Sequence, residues 1–343
     1  MSVAVTGGAG YIGSHAVKAL RAAGADVVIY DNLSAGHGEV ADATGAALEV
    51  GDIHDAARLR DVFTRYRVDA VMHFAAWLSV SDSVANPLGY YANNVHGALS
   101  VLGAMASVGA KYFIFSSTAA TFGNPVETPI TEYHPQRPIN AYGETKLAIE
   151  RALPHVERAH DIRWTVLRYF NAAGADPEGA IGEDHDPETH VIPRAIDAAL
   201  GRATFAMYGS DYDTPDGTCL RDYIHVTDLA SAHLGALDAL RAGGASSAYN
   251  LGNGRPTSVR EVIASVERVT GRKVPVTTAD RRPGDPAVLF ASSDRIKRAL
   301  GWRPAYEALD VIVETAYRWR AAHPNGYAAG DAVPPTPRSG DGG

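Results

Sequence analysis

The sequence predicts an α/β fold: a doubly wound parallel sheet with a smaller C-terminal α/β domain. Three observations predict it. The chain opens on a short β-branched run, a glycine-rich turn and a helical pattern in direct succession. Short apolar runs then alternate with helical patterns through the first half, the order that gives right-handed crossovers and parallel strands. Beyond Gly174 the segments shorten, and acidic loops stand at 183–188 and 211–216. The expected division is 1–174, with returns to the sheet near 222–251, then 175–325, then a disordered tail over 326–343 rich in Gly, Pro, Ala and Asp.

Composition narrows the function classes. A chain of 343 residues has ample apolar material for a core. A net charge of −8 with no basic run argues against nucleic acid. The first strand begins at Val3, which leaves no room for a signal peptide. No apolar stretch is long enough to span a membrane. Cys219 is the sole cysteine, so no intrachain disulfide forms and a reducing cytoplasm is expected. No metal site is expected.

The elements follow in order. A strand over 3–5 runs into a turn with Gly7, Gly8, Gly10 and Gly13, and a helix is expected over 14–23. The glycines read as Gly8-x-Gly10-x-x-Gly13 and as Gly7-x-x-Gly10-x-x-Gly13. Such a turn lets a pyrophosphate approach the backbone, and the helix start offers it free N–H groups. By itself the run is a weak signal. A second strand over 27–30 strengthens it by ending at Asp31, the spacing of a carboxylate that binds adenosine ribose hydroxyls. Asp31 would repel a 2′-phosphate, and no Lys or Arg lies over 32–38 to offset it, so the expected cofactor is NAD in a Rossmann-like site.

A third strand over 47–50 leads to Asp52 and Ile53, and a helix is expected over 55–66. A fourth strand over 70–74 ends in Phe74, Ala75 and Ala76, where small residues admit a cofactor against the backbone. One long helix is expected over 87–108, with Val95, Leu99, Leu102 and Ala106 on one face. A fifth strand over 112–115 runs into Ser116, Ser117 and Thr118. After a Pro-rich loop, a helix opens near Tyr142 and carries Lys146 one turn later. A sixth strand over 164–168 leads to Phe170 and Asn171. Further on, helices are expected over 192–200, 227–240 and 258–270, the last opened by a Ser258/Glu261 capping box, with strands over 205–208 and 249–251.

A Tyr and a Lys one helical turn apart beside a nicotinamide site suggest a phenolate base. An unperturbed phenol has a pKa of about 10 and must fall by roughly three units to act near neutrality. A fixed ammonium at Lys146 and a positive nicotinamide ring both favour the anion. The Thr118 hydroxyl can bridge a substrate hydroxyl and Tyr142.

The ordered segments TGGAGYIGSH, DNLS, GDI, HFAA, YYANNVHG, FSSTAATFG, YGETK, LRYFNAAGA, GEDHDPETH, DGTCLRDYIHV, YNLGNG and RRPGD span 6–285. Together they resemble the extended short-chain dehydrogenase/reductase family, and within it the UDP-hexose 4-epimerases. The resemblance implies that Tyr11, Ile12, Asp31, Asn32, Asp52, Ile53, Phe74, Ala75, Asn93, Tyr142, Lys146 and Phe170 contact NAD. It implies Thr118 as the catalytic hydroxyl and Tyr142 as the base. It implies Asn171, Arg221, Arg282 and Asp285 as holding the UDP group, where the arginine forks match phosphate oxygens. His190 and Val191 fall where the family contacts the nucleotide. Leu289 falls beside the sugar, where a Tyr excludes an N-acetyl group and a small residue admits it; a Leu packed in the core is the alternative.

The implied reaction interconverts UDP-galactose and UDP-glucose through a transient 4-keto sugar, with NAD regenerated each cycle. The other readings are a 4-epimerase of UDP-N-acetylglucosamine or UDP-glucuronate, and a non-catalytic NAD-binding regulator. A 4,6-dehydratase is disfavoured, because that branch places Asp-Glu after the strand-five Thr and this chain has Ala119-Ala120. The family also implies a homodimer through the helices after Pro87 and Tyr142. The face of Val95, Leu99 and Leu102 fits that contact or burial within the monomer. The chain departs from the commonest pattern at Trp77, at Ser81-Asp82-Ser83 and at Phe122.

Overall fold

A computed structural model describes residues 2–282 and 286–327. Asp285 and positions 328–343 of the expected tail lie outside the described residues.

Apolar alternation places the strands. In β1 (Ser2–Thr6), Val3 and Val5 face one core and Ala4 the other; in β2 (Asp26–Asp31), Val27 and Ile29 face the first and Val28 and Tyr30 the second. Completely buried strands of this composition belong in a parallel sheet covered on both faces. The sheet also contains β3 (Ala47–Val50), β4 (Val68–His73), β5 (Tyr112–Thr118), β6 (Arg163–Tyr169) and the late strand Ser247–Leu251. Its seven strands are ordered Ser247–Leu251, β6, β5, β4, β1, β2, β3, all parallel. Helices Tyr11–Ala22 and Val226–Arg241 cover one face. Helices Ala56–Arg65, Gly97–Val108 and Ala141–His160 cover the other. The strand order reverses between β1 and β4, and a crevice at such a switch point, beyond the strand C-termini, is where ligands bind.

A third core lies outside the sheet, where helices Val191–Ala199, Val259–Thr270 and Leu309–Ala322 pack together. Its strands are short. Phe205–Tyr208 pairs with Val276–Ala279, and Leu220–Arg221 is sandwiched between Thr257–Ser258 and Val288–Leu289. The Ser258/Glu261 capping box forms as expected.

Three differences from the sequence reading have local causes. The long helix expected over 87–108 is broken: Pro87–Tyr90 and Gly97–Val108 are α-helical, but Tyr91–His96 between them is a π-helix. Buried Asn94 anchors that stretch, accepting from Trp77 N at 2.8 Å and donating to Trp77 O at 3.0 Å and Thr145 Oγ1 at 3.2 Å. Such single-turn π segments concentrate at functional sites. Next, the tail expected to begin at 326 is still packed at Tyr327, whose ring stacks on His37 at 4.7 Å and whose N–H donates to Asp184 at 2.9 Å. Finally, of the face Val95, Leu99 and Leu102, Leu102 is in the monomer core and Val95 packs against it, while Leu99 is exposed.

Candidate active site

The strand ends surround a cavity of about 480 Å³, lined on one side by the glycine turn and on the other by Arg221 and Leu289. Most first-half segments reach it from the C-terminal ends of strands, and Asn93, Tyr142 and Lys146 reach it from helices. Gly7 takes φ +74°, and a Cβ there would lie 2.5 Å from Ala75 N; one on Gly13 would lie 2.2 Å from Gly7 O. Both glycines are required by close backbone approach. Helix Tyr11–Ala22 begins at Gly10 with no side-chain cap and no acidic residue in its first turn. Its open N–H groups and partial positive charge face the cavity, which suits a pyrophosphate.

Asp31 ends β2 with its carboxylate accepting from Ala9 N at 3.0 Å and Leu33 N at 2.9 Å. Burial pushes its pKa up, and the two N–H groups oppose that. Asn32 lines the cavity and donates to Asp52 Oδ2 at 3.0 Å. Asp52 itself stands outside the lining and holds His54 at 2.5 Å. Ile53, Phe74, Ala75 and Asn93 line the cavity, Asn93 from the π-helical turn. The glycine cradle and the Asp31 carboxylate together fit a dinucleotide.

Tyr142 and Lys146 sit on helix Ala141–His160, capped by Asn140, which accepts from Gly143 N at 2.8 Å. A Cβ at Gly143 would lie 2.4 Å from Ala120 O, so glycine lets this helix press against the turn after β5. That approach brings Tyr142 onto the same cavity wall as Thr118. Lys146 Nζ donates to Ser116 O at 2.9 Å and lies 5.9 Å from the Tyr142 ring centroid. Ser116 Oγ in turn hydrogen-bonds the Tyr169 hydroxyl.

The electrostatics differ from the sequence expectation. Burial pushes the Tyr142 phenol up to about 12, with the Thr118 hydrogen bond opposing. Burial pushes the Lys146 amine down to about 7, with Glu150 opposing. Beneath them Glu150 accepts from Arg168 Nη2 at 2.6 Å, Ser117 Oγ at 2.5 Å and Gln136 Nε2 at 3.0 Å, a buried network that fixes β5, β6 and helix Ala141–His160 together.

The substrate side is assembled from distant segments. Arg221 and Leu289 are paired residues of adjacent parallel strands, and both line the cavity. Asn171 reaches it through the Asn171–Ala173 strand, which pairs with Tyr223–His225. Buried Asp222 ties these segments, accepting from Asn253 N at 2.8 Å and from Gly254 N and Ala291 N at 3.1 Å. Phe170 and His190 also line the cavity, while Val191 and Arg282 do not. The Arg282 guanidinium lies 4.1 Å over the Tyr208 ring. Sequence reasoning missed His185, Ser116, Tyr169 and Trp77 as lining residues. His185, Ser116 and Tyr169 were visible within GEDHDPETH, FSSTAATFG and LRYFNAAGA, and Trp77 stood out as a departure from the family pattern.

Residues 3–252 match the model of the NAD dependent epimerase/dehydratase family. A UDP-glucose 4-epimerase from Halalkalibacterium halodurans is 50% identical over 330 residues, covering 96% of this chain and 98% of that protein. The crystal structure of UDP-glucose 4-epimerase from Brucella ovis in complex with NAD superposes with a TM-score of 0.90 at 49% identity, covering 92% of this chain and 97% of that one. The Bifidobacterium longum UDP-glucose 4-epimerase in complex with NAD+ and UDP also gives 0.90, at 38% identity, covering 95% of this chain and 100% of that one. The chain belongs to the NAD dependent epimerase/dehydratase family and, within it, to the UDP-glucose 4-epimerases. It is an NAD-dependent isomerase.

Proposed function

We propose that the chain interconverts UDP-galactose and UDP-glucose, with Tyr142 as the base and Thr118 as its relay. The observation that carries this is that Tyr142, Lys146 and Thr118 line one cavity together with the glycine cradle and Arg221. Gly7, Gly10, Gly13, Tyr11, Ile12, Asp31, Asn32, Ile53, Phe74, Ala75, Asn93 and Phe170 would hold NAD. When bound, NAD supplies a reversible hydride acceptor for the sugar's C4 and a positive ring that favours the Tyr142 phenolate. Tyr142 takes the proton of the 4-hydroxyl, through Thr118 or directly, and returns it at the end of the cycle. Lys146 and Ser116 position the phenol. Arg221 and Asn171 anchor the nucleotide, with Arg282 closing over it, so the sugar can present either face of C4. Residues 1–174 hold the cofactor and carry the reacting hydroxyls, and 175–325 hold most of the substrate.

Leu289 beside Arg221 leaves more room at the sugar than a Tyr would, so weaker activity on UDP-N-acetylgalactosamine accompanies the main one. A homodimer forms through the apolar side chains that the monomer leaves exposed on its helices, Leu88, Tyr91 and Leu99. A cytoplasmic location agrees with Cys219, buried, being the single cysteine of the sequence. The test is a coupled assay of UDP-galactose turnover on purified protein without added NAD. Formation of UDP-glucose is expected, and a strict requirement for added NADP overturns the cofactor assignment.

A further inference from the structure

One cluster on the substrate side has no part in the proton transfer. We propose that Glu183, His185, Glu188 and His190 form a binding site for a divalent cation of the zinc class. One ligand atom from each lies within 4.8 Å of all the others. His190 Nδ1 stands 2.6 Å from Glu183 Oε1 and 3.4 Å from Glu188 Oε1. His185 Nδ1 stands 3.3 Å from Glu183 Oε1 and 4.0 Å from Glu188 Oε2. A tetrahedral zinc with bonds of about 2.0–2.1 Å holds its ligand atoms about 3.4 Å apart. The cluster spans contacts from 2.6 Å to within 4.8 Å, so taking up the ion requires the shortest contact to open and the widest to close.

A second observation points to a ligand at the centre. Glu183 is 5% exposed. Its Oε1, His185 Nδ1, Glu188 Oε2 and His190 Nδ1 are all buried, form no well-aligned hydrogen bond, and meet one another as ion pairs. These four atoms are aimed at one another instead. Buried polar atoms normally find partners, and a cation would satisfy all four at once. The neighbouring Arg320 approaches Glu188 only to 3.9 Å and is committed to Asp197 at 2.5 Å. Two imidazole nitrogens with two carboxylate oxygens suit zinc better than calcium or magnesium, which take six or more oxygens.

The position gives the ion its role. His185 and His190 line the active cavity, and the His185 ring meets the Tyr11 ring edge-on at 6.1 Å. A bound cation would lock residues 183–190 as one wall of the substrate site, as a structural ion that takes no part in the redox step.

The test uses the full chain, treated with a chelator and dialysed against Zn²⁺, with metal content measured by elemental analysis. One Zn²⁺ per chain is expected. Losing even an outer-shell partner weakens metal binding by about 10–100-fold, so His185→Asn and Glu188→Gln should each weaken it by at least about 100-fold. Co²⁺ added to the wild-type protein should give the strong visible bands of four-coordinate cobalt, a readout that does not depend on any variant folding. Absence of retained Zn²⁺, a six-coordinate cobalt spectrum, or undiminished binding in either folded variant each overturns the proposal.

Discussion

The two sides of the active cavity are built by different means. On the glycine-turn side, the walls are turns at strand ends and the first two turns of one helix, and the residues in each are sequence neighbours: Gly7 with Gly10 and Gly13, Asp31 with Asn32, Tyr142 with Lys146. On the substrate side, Asn171, Arg221 and Leu289 come from three separated segments, joined by two- and three-residue strand pairings. The first side is held by a sheet covered on both faces. The second is held by a few polar knots, Asp222 foremost. A mutation on the first side should therefore act through chemistry or through the sheet, and one on the second through local assembly.

The largest expected effect tests the sheet side. Glu150→Gln strips the charge partner from buried Arg168. Breaking such a pair costs about 3–5 kcal/mol, to be read by denaturant unfolding. A loss under about 1 kcal/mol would show that the network does not hold β5 to β6.

Tyr142→Phe removes the phenol and leaves the packing of its ring. General acid–base catalysis contributes about 10²–10⁴-fold, so kcat should fall at least about 100-fold while NAD content stays unchanged. Turnover at the wild-type rate would remove Tyr142 as the base.

Asp222→Asn probes the knot on the substrate side. Three backbone N–H groups converge on the Asp222 carboxylate, and replacing one of its oxygens by an amide leaves a buried donor poorly matched, at about 1–3 kcal/mol. Burial pushes the Asp222 pKa from 3.8 to about 6, the three N–H groups opposing. Between those values the folded state binds more protons than the unfolded state. Its contribution to stability is therefore fully present below about pH 4 and is lost as pH rises through about 6. The stability gap between wild type and variant should shrink across that window. A gap that is flat or widens would contradict the direction of the shift.

Leu289→Tyr is the finest of the four and the most specific to the substrate side. It should lower kcat/KM for UDP-N-acetylgalactosamine relative to UDP-galactose by about tenfold, the low end for added bulk in a pocket. An unchanged ratio would place the Leu289 side chain away from the sugar.

Sequence alone determined the cofactor half. Buried parallel strands are written as continuous β-branched runs, and a glycine demanded by a 2.2–2.5 Å backbone approach leaves its mark as Gly7 and Gly13. Tyr142 and Lys146 were legible because helical spacing places them on one face. Tertiary structure decided the remainder. It turned residues 91–96 into a π-helix, because the period of apolar residues does not record where buried Asn94 must bond Trp77. It set the proton affinities of Tyr142 and Lys146 at about 12 and about 7, because desolvation depends on everything packed around a group. It placed Arg221 beside Leu289 and drew Glu183, His185, Glu188 and His190 to one point. Strands of two residues carry no periodicity, and the convergence of side chains from a loop follows from the path of the backbone in space.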